Sequence, residues 1–265
     1  MRTIKLIFVI PCILLAMAGC KVDNYAQPDA TLQGALTDGE KGGALQLSEA
    51  GGGGTIRLIV NDPAKYPTPS NIDLPSIKAD GTYLNTKLFA ENYKALLVAQ
   101  TGPWKYLAAD TARITLSSGQ VTTQNWKVSP YYYISTPTIT EDAGGNLIFT
   151  FTVTKSTTAG VPAVDLTDNN NLQIYVNNYP IVDGGTANKG VGSYYQNQFA
   201  FTVKDAIVGA PYTPLWLVNN VAQTYSIPWA NTHLNPGSYY FRVAILGHNS
   251  NGKQNWSPTV QFTVH

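Results

Sequence analysis

The chain is poor in the residues that most often carry chemistry. It has only two cysteines and three histidines in 265 residues. Both cysteines, Cys12 and Cys20, fall near the start, so no thiol pair remains downstream for a disulfide, a cysteine-ligated metal or a thiol nucleophile. His233, His248 and His265 show neither an i, i+4 pair nor a His-Glu-x-x-His pattern, and zinc is not expected. Charge is scarce and balanced, with 17 Lys and Arg against 16 Asp and Glu. Such a balance does not suggest nucleic acid as a partner, nor an electrostatic hold on anionic lipid. Glu is rare too, and few amphipathic helices are expected.

What is present begins with an address. Arg2 and Lys5 open a basic start, and Leu6 to Ala18 form an apolar run interrupted by Pro11. As a helix this run would reach about 20 Å against a hydrocarbon core of about 30 Å, so it reads as a signal peptide and not as a span. The ending Met17-Ala18-Gly19-Cys20 resembles a bacterial lipobox. The resemblance implies that residues 1–19 are removed and that Cys20 takes a diacylglycerol. Several acyl chains, at roughly 0.8 kcal/mol per CH₂, would make the attachment permanent. Loss of Arg2 and Lys5 takes the net charge from +1 to −1. Residues 20–30 read as a lipidated tether. The expected location is the outer membrane, lipid-anchored, with the cell-surface face favoured over the periplasmic one.

Beyond the tether the pattern is β. Tyr, Thr, Val, Asn, Gly and Pro are plentiful, which suits short strands joined by turns. Thr55 to Val60 is a β-branched run after the Gly51 to Gly54 tract, which reads as a hairpin loop because no Lys-Ser/Thr and helix follow it. Pro63 to Pro75 reads as a long connection. Tyr93 to Val98 and Ile114 to Leu116 read as strands. Pro130 and a change of pattern place a boundary between residues 127 and 128. In the second half Leu147, Phe149, Phe151 and Val153 alternate with less apolar neighbours, as do Leu172, Ile174 and Val176, then Tyr239, Phe241, Val243 and Ile245, then Val260, Phe262 and Val264. The expected fold class is all-β, with one β-sandwich over 31–127 and a second over 128–265.

Candidate chemistry is thin. Glycan hydrolysis needs two carboxylates about 5 to 9.5 Å apart. The acids here, among them Asp38, Asp80, Glu141, Asp142 and Asp183, sit at turns, where Asp bonds to nearby backbone. Asp165 to Asn171 has oxygen ligands suited to calcium but lacks the Gly and terminal Glu of an EF-hand loop, and reads as a polar loop. No catalytic residue, metal or cofactor is expected. The remaining signal is aromatic, since Trp and Tyr can stack on the apolar faces of sugars. Trp126 and Trp256 fall at core positions. Tyr212, Trp216 and Trp229, placed near prolines in irregular segments, are the candidate carbohydrate platform.

Three resemblances extend this reading. Leu234-Asn235-Pro236-Gly237-Ser238-Tyr239, with Trp256-Ser257-Pro258 before the last strand, resembles the end of a fibronectin type III domain, and implies a tyrosine corner at Tyr239. Asp80-Gly81-Thr82-Tyr83 followed by Asn92-Tyr93 resembles a transthyretin-like or carboxypeptidase-regulatory-like sandwich, with Asn92 where Gly is customary. The order of lipobox, Asp23-Asn24-Tyr25, Asp80 to Tyr83, Gly102-Pro103-Trp104 and Val128-Ser129-Pro130-Tyr131 resembles a Bacteroidota lipoprotein family of unassigned function. Members tend to be encoded beside starch-utilisation-type outer-membrane transporters and their glycan-binding lipoproteins. The resemblance implies a non-enzymatic accessory of glycan uptake that binds carbohydrate or the transporter assembly. The alternative is a structural spacer or adhesion module, and a glycoside hydrolase stands third.

Overall fold

A computed structural model describes residues 27–48, 54–60, 68, 70–74, 77–106, 111–159, 172–182, 199–202, 218–228, 234–246 and 253–265. Among the described residues every regular element is a strand, and the fold is all-β. The first nine are β1 (Ala30–Asp38), β2 (Ile56–Val60), β3 (Asn71–Leu74), β4 (Thr82–Leu88), β5 (Asn92–Leu97), β6 (Trp104–Tyr106), β7 (Thr111–Thr115), β8 (Val121–Thr123) and β9 (Trp126–Pro130). The others are β10 (Tyr132–Ile134), β11 (Thr138–Glu141), β12 (Leu147–Lys155), β13 (Leu172–Asn177), β14 (Phe199–Thr202), β15 (Ala222–Ile227), β16 (Gly237–Leu246), β17 (Gln254–Trp256) and β18 (Val260–Val264).

Strand β1 is the axis of the first sandwich. It pairs antiparallel with β4 on one side, and on the other runs parallel first to β8 and then to β9, whose far edge takes β6. The facing sheet has the order β3-β2-β5-β7. Alternation sends Leu32 and Leu36 inward against Ile56, Leu58, Tyr93 and Leu97, with Trp104, Trp126 and Val128 closing the core. The stretch expected to be a long connection contains β3, whose four residues pair with β2 and are fastened by a bidentate Arg57–Asp73 pair at 2.6 and 2.8 Å. A four-residue edge strand bounded by prolines has too short a pattern to show alternation.

The first sheet runs past residue 127. Strand β9 spans that position and stays paired to β6 as far as Trp104 opposite Pro130, and Val128 lies fully buried in the first core. Pro130 fits because it is the last residue of the strand, where a missing N–H costs no further rung.

The second sandwich follows after Tyr131. In one sheet β12 carries β10 and then β11 along one edge and β15 along the other; in the other the order is β14-β13-β16, with β17 and β18 in succession along β16. Leu147, Phe149, Phe151 and Val153 all point inward, as their alternation requires. Phe149 meets Phe241 edge-on at 5.5 Å, and Phe151 stacks on Tyr225 at 5.5 Å. The tyrosine corner is present: the Tyr239 hydroxyl donates to the Asn235 carbonyl at 3.0 Å, from a ring that is half-buried. All six residues of β13 are buried, so this sheet is covered on its outer face as well. That second cover is a small cluster of Tyr175, Val182, Ala244 and Trp256, and it leads to the junction with the first sandwich.

Candidate functional site

The described polar chemistry concentrates where the two sandwiches meet. Strand β1 ends at Asp38, a buried carboxylate. Its Oδ1 accepts from the amides of Glu40 and Lys41 at 2.7 and 3.0 Å, which makes the tight turn expected of Asp at this position. The same oxygen accepts the Tyr133 hydroxyl at 3.0 Å from the second sandwich, while the Lys41 ammonium sits 3.6 Å over the Tyr133 ring. Burial, with Asp38 as acceptor and the charge of Glu40 nearby, raises the Tyr133 phenol well above its usual range.

The turn after Asp38 delivers Glu40 into a cluster of hydroxyls. Its Oε2 accepts from Ser156, Thr158 and Ser129 at 2.6, 3.0 and 3.1 Å, and its Oε1 accepts from the Thr157 hydroxyl and amide at 2.8 and 3.1 Å. Desolvation pushes the carboxyl up, but the hydrogen bonds from Ser156, Thr157 and Thr158 outweigh it and bring the pKa down to about 2. Glu40 is therefore a permanent anion at neutral pH. It can fasten one sandwich to the other but cannot serve as a general acid there.

A depressed carboxyl stabilises the fold above its ordinary pKa of 4.5, and that contribution is lost as the pH falls towards 2. Discounted for solvent contact, it is worth about 1–2 kcal/mol. Glu40→Gln should therefore lower stability at pH 7 and leave it unchanged near pH 2. Denaturant titrations of both chains across this window check it, and parallel curves would show that Glu40 is not the latch.

Two further ties complete the junction. The Asn255 amide donates to the Pro103 carbonyl at 3.0 Å and its oxygen accepts from the Tyr132 amide at 3.3 Å. Arg242, only 3% exposed, donates from Nε to the Ser257 carbonyl at 2.9 Å and from Nη1 to the carbonyls of Leu47 and Val182 at 3.0 and 3.4 Å. Its guanidinium lies 4.8 Å over the Trp256 ring.

Between these ties lies a cleft of about 90 Å³, walled by Leu45, Leu47, Trp104, Tyr132, Tyr133 and Trp256, with Asp38, Gln46 and Asn255 as its polar groups. Gln46 is exposed at its wall. The Trp256 indole N–H is buried with no acceptor among the described residues. Glycine makes room for the wall: a Cβ on Gly102 or on Gly54 would overlap the Trp104 ring. No group of three His, Cys, Asp or Glu able to hold a metal occurs among the described residues.

Cys20, Tyr212, Trp216 and Trp229 all lie outside the described residues, as does the polar loop Asp165 to Asn171. Trp126 and Trp256 are buried, at 7% and 3% exposure, as core positions should be. Asp80 and Asp142 cap their own turns, accepting from Thr82 at 2.9 Å and from Gly144 at 2.8 Å. Sequence reasoning missed Glu40, Asn255 and Arg242. Gly102-Pro103-Trp104, Val128-Ser129-Pro130-Tyr131 and Trp256-Ser257-Pro258 touched the junction only as family markers with no role attached, and Asp38 only as a turn residue.

Comparison with known proteins finds likeness at the level of the first sandwich and of the whole fold. Residues 30–129 match the family model described as "Protein of unknown function (DUF3823) N-terminal domain". Crystal structures of DUF3823 family proteins from Parabacteroides merdae and Bacteroides ovatus superpose with TM-scores of 0.59 and 0.57 at 18% and 19% identity, each over 89% of this chain and 100% of the other. A Bacteroides uniformis structure described as a "putative carbohydrate binding protein" superposes with a TM-score of 0.57 at 18% identity, over 89% of this chain and 99% of that one. At such identities the likeness is one of fold, extending through both sandwiches. No curated protein matches the chain.

Proposed function

We propose that this chain is a non-enzymatic lipoprotein, anchored through Cys20 on the surface side of an outer membrane, that serves a glycan uptake system by holding carbohydrate at the cleft between its sandwiches. The observation that carries this reading is the cleft itself, where aromatic walls meet a few polar groups. Aromatic rings take the apolar face of a sugar while Gln46, exposed at the wall, suits its hydroxyls. The Bacteroides uniformis relative supports the same class of ligand. With about 90 Å³ of room the cleft admits the edge of one ring, well below the several hundred Å³ of an enclosing pocket. A glycan would therefore lie across the mouth with one residue inserted, and Tyr212, Trp216 and Trp229 remain separate candidates for carbohydrate contact read from the sequence alone.

The ties around the cleft favour a second reading, a stiff spacer that presents its surface to the transporter and its glycan-binding lipoprotein. Affinity electrophoresis through embedded polysaccharides separates the two. Gln46→Trp places a large ring at the mouth from an exposed position, and should abolish retardation without moving the melting temperature. Trp216→Ala should weaken retardation severalfold. Unchanged retardation by Gln46→Trp would remove the cleft from the reading. Should no polysaccharide retard the native chain, while it co-purifies with an outer-membrane transporter, the spacer reading stands.

A further inference from the structure

We infer that the end of the first sandwich where β1 begins rests on the bilayer, with Phe89 and Val121 inserted at the lipid interface. This rests on the Cys20 anchor proposed above. The geometry supporting it is the register around Ala30. Ala30 pairs with Leu88, Thr31 pairs with Val121, the Thr31 amide donates to the Gln120 carbonyl at 3.0 Å, and Ser118 donates to Asp29 at 2.6 Å. The β4–β5 turn with Phe89 and the β7–β8 turn ending at Val121 therefore flank the point where the tether enters the fold. Phe89 is 47% and Val121 60% exposed, so two large apolar side chains face outward at that end.

The tether limits how far this end can stand from the lipid. Eight residues lie between Cys20 and Asp29, nine Cα–Cα steps in all. They reach about 30 Å fully extended and about 17 Å as a flexible coil. Ser117 to Gln120 carry no charge, and the nearby Asp29, Lys87 and Glu91 nearly cancel, so the contact needs no anionic lipid. Insertion of the two apolar side chains supplies the hold. The consequence reaches the cleft: β1 is nine residues long and rises about 26 Å from Ala30 to Asp38, which carries the junction that far from the bilayer. The second sandwich then extends into solvent.

The scarcity of cysteine makes the test clean. The native lipoprotein is reconstituted in phosphatidylcholine and phosphatidylethanolamine vesicles, with a nitroxide attached through Phe89→Cys, Val121→Cys or Ala143→Cys. Ala143 is exposed in the β11–β12 turn, at the end of β12 away from the junction. The ratio of oxygen to nickel-chelate accessibility should be several times higher at positions 89 and 121 than at 143, and insensitive to salt. Water-like ratios at both 89 and 121 would overturn the inference while leaving the anchor intact. Failure of the anchor reads differently, because the unsubstituted mature chain would then itself take up nitroxide at Cys20. In that case flotation of the Cys20→Ala chain with the same vesicles decides: flotation lost in Phe89→Ser supports the lipid contact, and no flotation at all overturns it.

Discussion

Arg242→Ala should cost about 3–5 kcal/mol and split the unfolding of the chain into two transitions. Arg242 sits on the outward-facing register of β16, where a strand between Phe241 and Val243 would ordinarily show a charged side chain to water. Here the first sandwich covers it. Its guanidinium reaches the Ser257 carbonyl within its own sandwich and the Leu47 carbonyl 195 residues away in the other, while its plane lies over Trp256. Truncation removes charge-assisted hydrogen bonds to buried carbonyls and leaves those carbonyls with no solvent to turn to. Lys offers a point charge where a planar fork serves two directions, so Arg242→Lys should recover only part of the loss. Arg242→Met keeps the apolar stem and isolates the hydrogen bonds from the packing. Calorimetry with intrinsic fluorescence reads the result. A single transition at the native temperature in Arg242→Ala would show that the ties through Glu40 and Asn255 hold the junction unaided.

This residue also marks where sequence reading stops. Within one sandwich the information is local: the alternation of Leu147 to Val153, the Asp80 turn and the Tyr239 corner each need only a few neighbouring positions, and each stands as expected. The aromatic positions Trp126 and Trp256 follow from strand pattern in the same way. The junction is different, because its partners are remote. Glu40 is held by Ser156 and Thr157, 116 and 117 residues on, and Asn255 by Pro103, 152 residues back. No periodicity connects such positions, and each taken alone reads as a solvated polar residue. The cleft, formed between these ties, was hidden for the same reason, and the aromatic search turned instead to Tyr212, Trp216 and Trp229. Strand β3 was lost to brevity, since four residues cannot display a period.

The junction also gives β1 its importance, because the strand joins the tether end to Asp38 and passes at Gly34 through a tight point of the first sandwich. Gly34 occupies an inward register position between the buried Leu32 and Leu36. Beside it the neighbouring edge is broken between β8 and β9, and the Gln124 carbonyl turns in towards the strand, where it accepts the Tyr83 hydroxyl. A Cβ at Gly34 would overlap that carbonyl oxygen and come within 2.7 Å of the Tyr83 hydroxyl. Neither is the free end of a flexible chain: one is backbone, and the other belongs to a ring packed in the core. Gly34→Ala must therefore move β1 or the β8–β9 break, and overpacking against backbone should cost about 3 kcal/mol. A central strand otherwise favours Ala over Gly, by roughly 0.5–1 kcal/mol, which makes the sign of the result decisive. Loss of stability places the Gln124 carbonyl where the fold shows it, whereas a gain would mean that the break between β8 and β9 yields freely. Tyr83→Phe in the Gly34→Ala background separates the two contacts: relief of part of the cost would identify the hydroxyl, and no relief would leave the whole of it with the Gln124 carbonyl.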